Sequence, residues 1–290
     1  MKSKLFFGFA ALFLLASCDE IIEMEIGKEA DKSSVVFSAV TEFAPSTRTA
    51  LSGYTNSDGC YLLNWSAGDE ISISDGISTA VYTTSDCYTS TAEFSYSKGK
   101  ISNTATQYIA FYPSTITTAN MVLPATQNFV DRNIENFPMR AVSNNKNLAF
   151  KNLCGIIRFC LRTEESDMVY VSSISLSADK GMSGTFTVGD DNAAVVAGTD
   201  GVVLECAEPQ RLYATSVTDF NIIVPQGVYN PLKVKICDSN GKEVNLVSQE
   251  AISVKRNQIT RITLTLSKST FVTSLETIPI TDSDVDFSER

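Results

Sequence analysis

The chain has 290 residues, of which 43% are hydrophobic and 19% charged, enough apolar material for one or two packed domains and too much for a disordered chain. Its net charge is −10, with no cluster of Lys and Arg, which excludes binding to nucleic acid through phosphate neutralisation. There is no His at all, so Ser-His-Asp and Cys-His catalysis and imidazole zinc sites are excluded too.

The chain opens with Lys2 and Lys4, followed by twelve apolar residues over 5–16. That length suits the apolar segment of a signal peptide and is too short to cross a bilayer as a helix. The run ends in Leu15, Ala16, Ser17 and Cys18, which resembles the lipobox of bacterial lipoproteins. In that family the Cys thiol receives a diacylglyceryl group, cleavage falls just before the Cys, and the new amine is acylated. The resemblance implies a signal peptide at 1–17 and lipidation of Cys18. More than one acyl chain, at about 0.8 kcal/mol per buried CH₂, holds a protein on a membrane for long times. Without Lys2 and Lys4, 21 basic residues face 33 acidic ones, a net charge of −12.

Residues 19–34 carry six acids and two bases. Two readings stand here: a flexible acidic tether, and a surface-export signal like those of some Gram-negative lipoproteins. From residue 35 the pattern changes to alternation. Val35, Phe37, Ala39 and Thr41 fall on one face, with Val36, Ser38 and Val40 on the other, which predicts a strand. Similar runs predict strands at 70–73, 79–84, 92–96 and 107–112. In the second half they fall at 148–161, 168–178, 184–188, 201–206, 211–215, 219–224, 232–237, 244–254 and 258–266. Turn dipeptides such as Asp75-Gly76 and Asn240-Gly241 punctuate them. No amphipathic helix of more than about three turns is visible. The expected fold is all-β, two tandem β-sandwich domains at 35–146 and 147–268, divided at the polar stretch 143–147, with a tail at 269–290.

Six cysteines lie beyond Cys18: Cys60, Cys87, Cys154, Cys160, Cys206 and Cys237. Either they are free thiols, several buried, or one or two bridges form among them.

The motifs then point to a family. Trp65, Gly68, Asp69 and Ile71 make the W-x-x-G-D-x-I pattern, and the runs at 108–113, 123–127, 138–141, 150–159, 174–176 and 220–227 follow in order. In this series the chain resembles the fimbrillin-like proteins, over about residues 35–266. The resemblance implies a subunit of surface fimbriae, the type V pili of Gram-negative anaerobes, made as a lipoprotein precursor with transthyretin-like sandwiches. In polymerising members an arginine-specific protease removes the first strand, and a strand of a neighbouring subunit fills the groove. The partners implied are other fimbrial subunits and the outer membrane, through the lipid on Cys18. The implied location is the outer-membrane surface, then the fimbrium.

On this chain the matching cut lies between Arg48 and Thr49, in a loop-like segment with Pro45 and Ser46; a plain solvated loop Arg is the alternative. The tail is a mixed donor candidate: Phe271, Val272, Leu275, Ile278 and Ile280 do not alternate cleanly, and Pro279 breaks any ladder. Nothing singles out a catalytic pair, and no enzyme, cofactor or metal is expected. Trp65 reads as core and Asp69 as a turn residue before either reads as a sugar contact. Residues 189–192, Gly-Asp-Asp-Asn, read as a hairpin turn rather than a Ca²⁺ loop. The alternative function is a lipid-anchored carbohydrate- or ligand-binding lipoprotein that does not polymerise.

Overall fold

Alternating β-branched and polar residues cannot bury one face as a helix, and here they do so as strands. The computed structural model describes residues 35–42, 63–116, 120–131, 134–164, 167–188, 193–197 and 201–267, and these are all-β, with no helix among them. The strands are β1 (Val36–Val40), β2 (Glu70–Ser74), β3 (Thr79–Thr83), β4 (Thr91–Gly99), β5 (Tyr108–Tyr112), β6 (Asn120–Leu123) and β7 (Thr126–Asn128). After them come β8 (Met139–Ser143), β9 (Asn147–Ala149), β10 (Lys151–Asn152), β11 (Gly155–Thr163), β12 (Tyr170–Ser177), β13 (Gly184–Val188) and β14 (Ala193–Ala197). The last are β15 (Val202–Arg211), β16 (Thr218–Val224), β17 (Gly227–Tyr229), β18 (Lys233–Asp238), β19 (Glu243–Val247), β20 (Ile252–Val254) and β21 (Ile259–Leu266).

One sheet of eight strands runs in the order β10-β8-β5-β2-β3-β4-β1-β9. Its two edge strands, β9 and β10, are separated in sequence by Phe150 alone, so the sheet bends round until its edges meet at that residue. A sheet closed in this way leaves no long free edge. Inside it lie Phe37, Trp65, Tyr82, Phe94, Tyr108 and Phe150, all fully buried. A five-stranded sheet, β19-β18-β12-β15-β7, drawn from the second half except for β7, and a three-stranded sheet, β16-β11-β21, enclose another core, led by Phe159, Ile174, Leu176, Phe220 and Ile222. A third cluster joins Phe111, Met121 and Phe137 to Cys154, Ile156, Phe186 and Ile223.

Three expectations need correction. The run at 148–161 is not one strand but the end of β9, then β10 and β11, because Phe150 turns into the first core and Leu153 and Cys154 into the third cluster. The run at 244–254 breaks between β19 and β20, where Ser248 and Leu232 exchange bonds of 2.8 and 2.9 Å. The strands expected at 201–206 and 211–215 are a single strand, β15, that stops at Arg211. Pro209 is tolerated in it because the ladder with β12 passes from Glu205 to Gln210, leaving the residues between without a partner on that side. Strands β6, β7, β8, β14 and β17 are not expected from alternation, being only three to five residues long.

Candidate strand-exchange site

Strand β1 sits inside the eight-stranded sheet, antiparallel to β4 and parallel to β9. Its alternation sets its contacts. Val35, Phe37, Ala39 and Thr41 are buried, while Val36 remains 39% exposed. The Phe37 ring meets Tyr82 and Tyr108 edge to face, with centroids 4.9 and 5.0 Å apart. Burying such a ring stabilises by about 1.5–3 kcal/mol. The strand is also tied through its polar atoms. Trp65 Nε1 donates to Ala39 O at 3.2 Å, Thr41 Oγ1 donates to Leu63 O at 2.7 Å, and Phe150 N donates to Val40 O at 2.9 Å.

Past the strand, Glu42 takes Nη1 and Nη2 of Arg256 at 2.5 and 3.0 Å, a bidentate pair between residues 214 positions apart. The Asn152 backbone amide N–H donates to the same carboxylate at 3.0 Å. Sequence reasoning missed Glu42 and Arg256. Glu42 is a lone charge at the end of a strand run and Arg256 follows Lys255 in a turn, and nothing local marks them as partners.

Trp65 lies in the core, edge to face with Phe94, Tyr112 and Phe150, so it offers no platform for a sugar. Asp69 closes the turn before β2: Ser66 N donates to Oδ2 at 2.8 Å and the Tyr112 hydroxyl to Oδ1 at 2.9 Å. Burial raises the Asp69 carboxyl above its ordinary value, against the lowering pull of those two bonds. Cys18, Arg48, Thr49, Cys60, residues 189–192 and the tail from 268 lie outside the described residues.

The five cysteines among the described residues are free thiols, with Cys87 exposed and Cys154 and Cys160 buried. Burial pushes the Cys154 thiol up to about 12, and burial followed by the nearby Asp219 charge does the same for Cys160. The folded state therefore keeps a proton that the unfolded chain loses. This contribution to stability is complete below the ordinary thiol value of 9.0 and is lost as pH climbs towards 12. Iodoacetamide at pH 8 should accordingly label Cys87 in the native protein, and Cys154 and Cys160 only after denaturant is added. Peptide mapping of the label is the check, and fast native labelling of Cys154 would contradict its burial.

No family model matches the sequence, and no curated protein is similar to it. Among solved structures, a candidate cell adhesion protein from Bacteroides ovatus superposes with a TM-score of 0.58 at 11% identity, over 85% of this chain and 95% of that one. A candidate cell adhesion protein from Bacteroides uniformis covers 71% of this chain and 89% of its own, at 16% identity and a TM-score of 0.48. The tip fimbrial protein Mfa3 of Porphyromonas gingivalis, truncated at its C-terminus, covers 71% and 94%, at 10% identity and a TM-score of 0.34. The Bacteroides ovatus match shows that the two chains share a fold. At these scores the other two carry no argument.

Proposed function

We propose that this chain is the precursor of a fimbrial subunit, a lipoprotein of the outer-membrane surface that assembles by strand exchange and serves adhesion. The observation that carries the reading is the place of β1: an N-terminal strand held between β4 and β9, with Phe37 fully buried. Losing it would uncover an aromatic groove and two rows of unpaired backbone groups, and a strand from another subunit would cover both. The candidate cell adhesion protein from Bacteroides ovatus, which shares this fold, lends support. Lipidation at Cys18, cleavage between Arg48 and Thr49, the transthyretin-like topology and the two-domain division at residue 147 belong to the same proposal.

The test is the N-terminus of the protein taken from cells, read by mass spectrometry beside its oligomer size. A start at Thr49 in large, detergent-free polymers is expected, and Arg48→Ala should leave acylated, unpolymerised precursor. Monomers that begin at acylated Cys18 under every condition would overturn the reading and favour a solitary ligand-binding lipoprotein.

A further inference from the structure

The departure of β1 would leave a charge behind it. Glu42 sits at the end of that strand, and its carboxylate is the point on which the Arg256 guanidinium and the Asn152 amide converge. Arg256 Nη1 also donates to Asn152 O at 2.8 Å, a bond that does not involve Glu42. The guanidinium thus stays aimed at the same point when Glu42 is gone. Its side chain is 21% exposed, so any charge paired with it is partly shielded from water. A planar fork and an amide directed at one point make a receptor for a carboxylate.

The groove therefore reads two features of its occupant at a fixed interval. In β1 these are Phe37, in the pocket of Tyr82 and Tyr108, and Glu42, five residues on. The same interval recurs in the tail, between Phe271 and Glu276. Phe159 with Glu164 and Phe186 with Asp191 also have it, but both of those rings are fully buried in the chain's own core.

Building on the strand-exchange reading above, we infer that Arg256 and the Asn152 amide select the replacing strand by its carboxylate, and that their occupant is segment 271–276 of a second copy of this chain. In that register Phe271 takes the Phe37 pocket and Glu276 the Arg256 fork. Thr270, Val272 and Ser274 take the outward places of Val36, Ser38 and Val40, and Leu275 replaces the buried Thr41. Thr273 stands where Ala39 lies and needs room beside Trp65, and Leu275 is larger than Thr41 and gives up that residue's bond to Leu63 O, so the groove adjusts at two places. Pro279 falls three residues beyond Glu276, past the end of the pairing, and removes no ladder bond.

Charge reversal tests the pairing in cells that process the full chain, with polymer yield read from unboiled gels and precursor cleavage read alongside. Glu276→Arg leaves the Glu42–Arg256 pair of the precursor untouched and should lower polymer yield about tenfold or more, the scale of a lost charged hydrogen bond. Arg256→Glu should do the same. The two together should restore assembly, because Glu at 256 then faces Arg at 276. Polymers of unaltered yield from Glu276→Arg would overturn this inference and leave strand exchange standing, as would a double variant whose precursor is made and cleaved like the unaltered chain yet assembles no better than Glu276→Arg alone. Protease-resistant monomers holding their own tail would overturn the second copy as occupant. Failure of the unaltered chain to polymerise after losing β1 would overturn the strand-exchange reading itself.

Discussion

Phe37→Ala destabilises the folded chain by about 3–5 kcal/mol, the range for removing a buried aromatic ring and leaving a cavity. The ring is fully buried in the closed sheet, and two rigid tyrosines, Tyr82 and Tyr108, pack edge to face against it. Tyr82 is held in turn by Tyr96, at 5.9 Å between centroids, so the wall of the cavity has little freedom to collapse. Val36→Ala on the same strand is the contrast. Its side chain is 39% exposed, and the change should stay within about 0.5 kcal/mol. Denaturant unfolding of both variants followed by tryptophan fluorescence checks the pair. A loss below about 1 kcal/mol for Phe37→Ala would show that the groove closes without its ring, and would remove the energetic reason for a replacing strand.

Trp65→Ala should cost about as much, some 3–5 kcal/mol, for a different reason. This indole is the chain's single Trp and lies fully buried, with Phe94, Tyr112 and Phe150 at 5.0, 5.5 and 5.4 Å. Phe150 is the residue at which the two sheet edges meet, so the indole supports the closure as well as the core. Its Nε1 also satisfies Ala39 O. Trp65→Phe keeps most of the ring and loses that bond, while Ala39 still pairs with Ala92 in the ladder, so the bond's share is about 0.5–1.5 kcal/mol. Circular dichroism during denaturation measures both variants without relying on the indole. In the native wild type, emission from this one buried Trp should be blue-shifted and should move to the red as the first sheet opens. Equal losses for Trp65→Ala and Trp65→Phe would mean that the hydrogen bond, and not the ring, carries the effect.

The strands with clean alternation were legible from sequence. At 35–41, 70–73, 79–84 and 107–112 one face had to be apolar, and each expected run overlaps an observed strand within a residue or two. Where strands were misjudged, continuity was the cause. Local pattern cannot tell that the chain leaves one sheet at Phe150 and enters another at Gly155. That change follows from which core each side chain finds, not from any break in its apolar character. Gly155 has a steric reason to be Gly that sequence also hides: a Cβ there would lie 2.4 Å from Lys255 O. Short strands such as β7 and β10 have too few residues to show a period, and they exist because longer neighbours offer an edge.

The inward set of β1 belongs to the sequence by itself, because side chains alternate along any strand and only one of its faces is apolar. So does the all-β class, since the apolar runs are short, β-branched and closed by turn residues. The partners of β1 were decided only by tertiary structure. Its place between β4 and β9, and the meeting of Glu42 with Arg256 across 214 residues, depend on how the sheet closes and where Asn152 turns the chain. A period of two is written in neighbouring residues. A salt bridge between distant ones is written only in the path that brings them together.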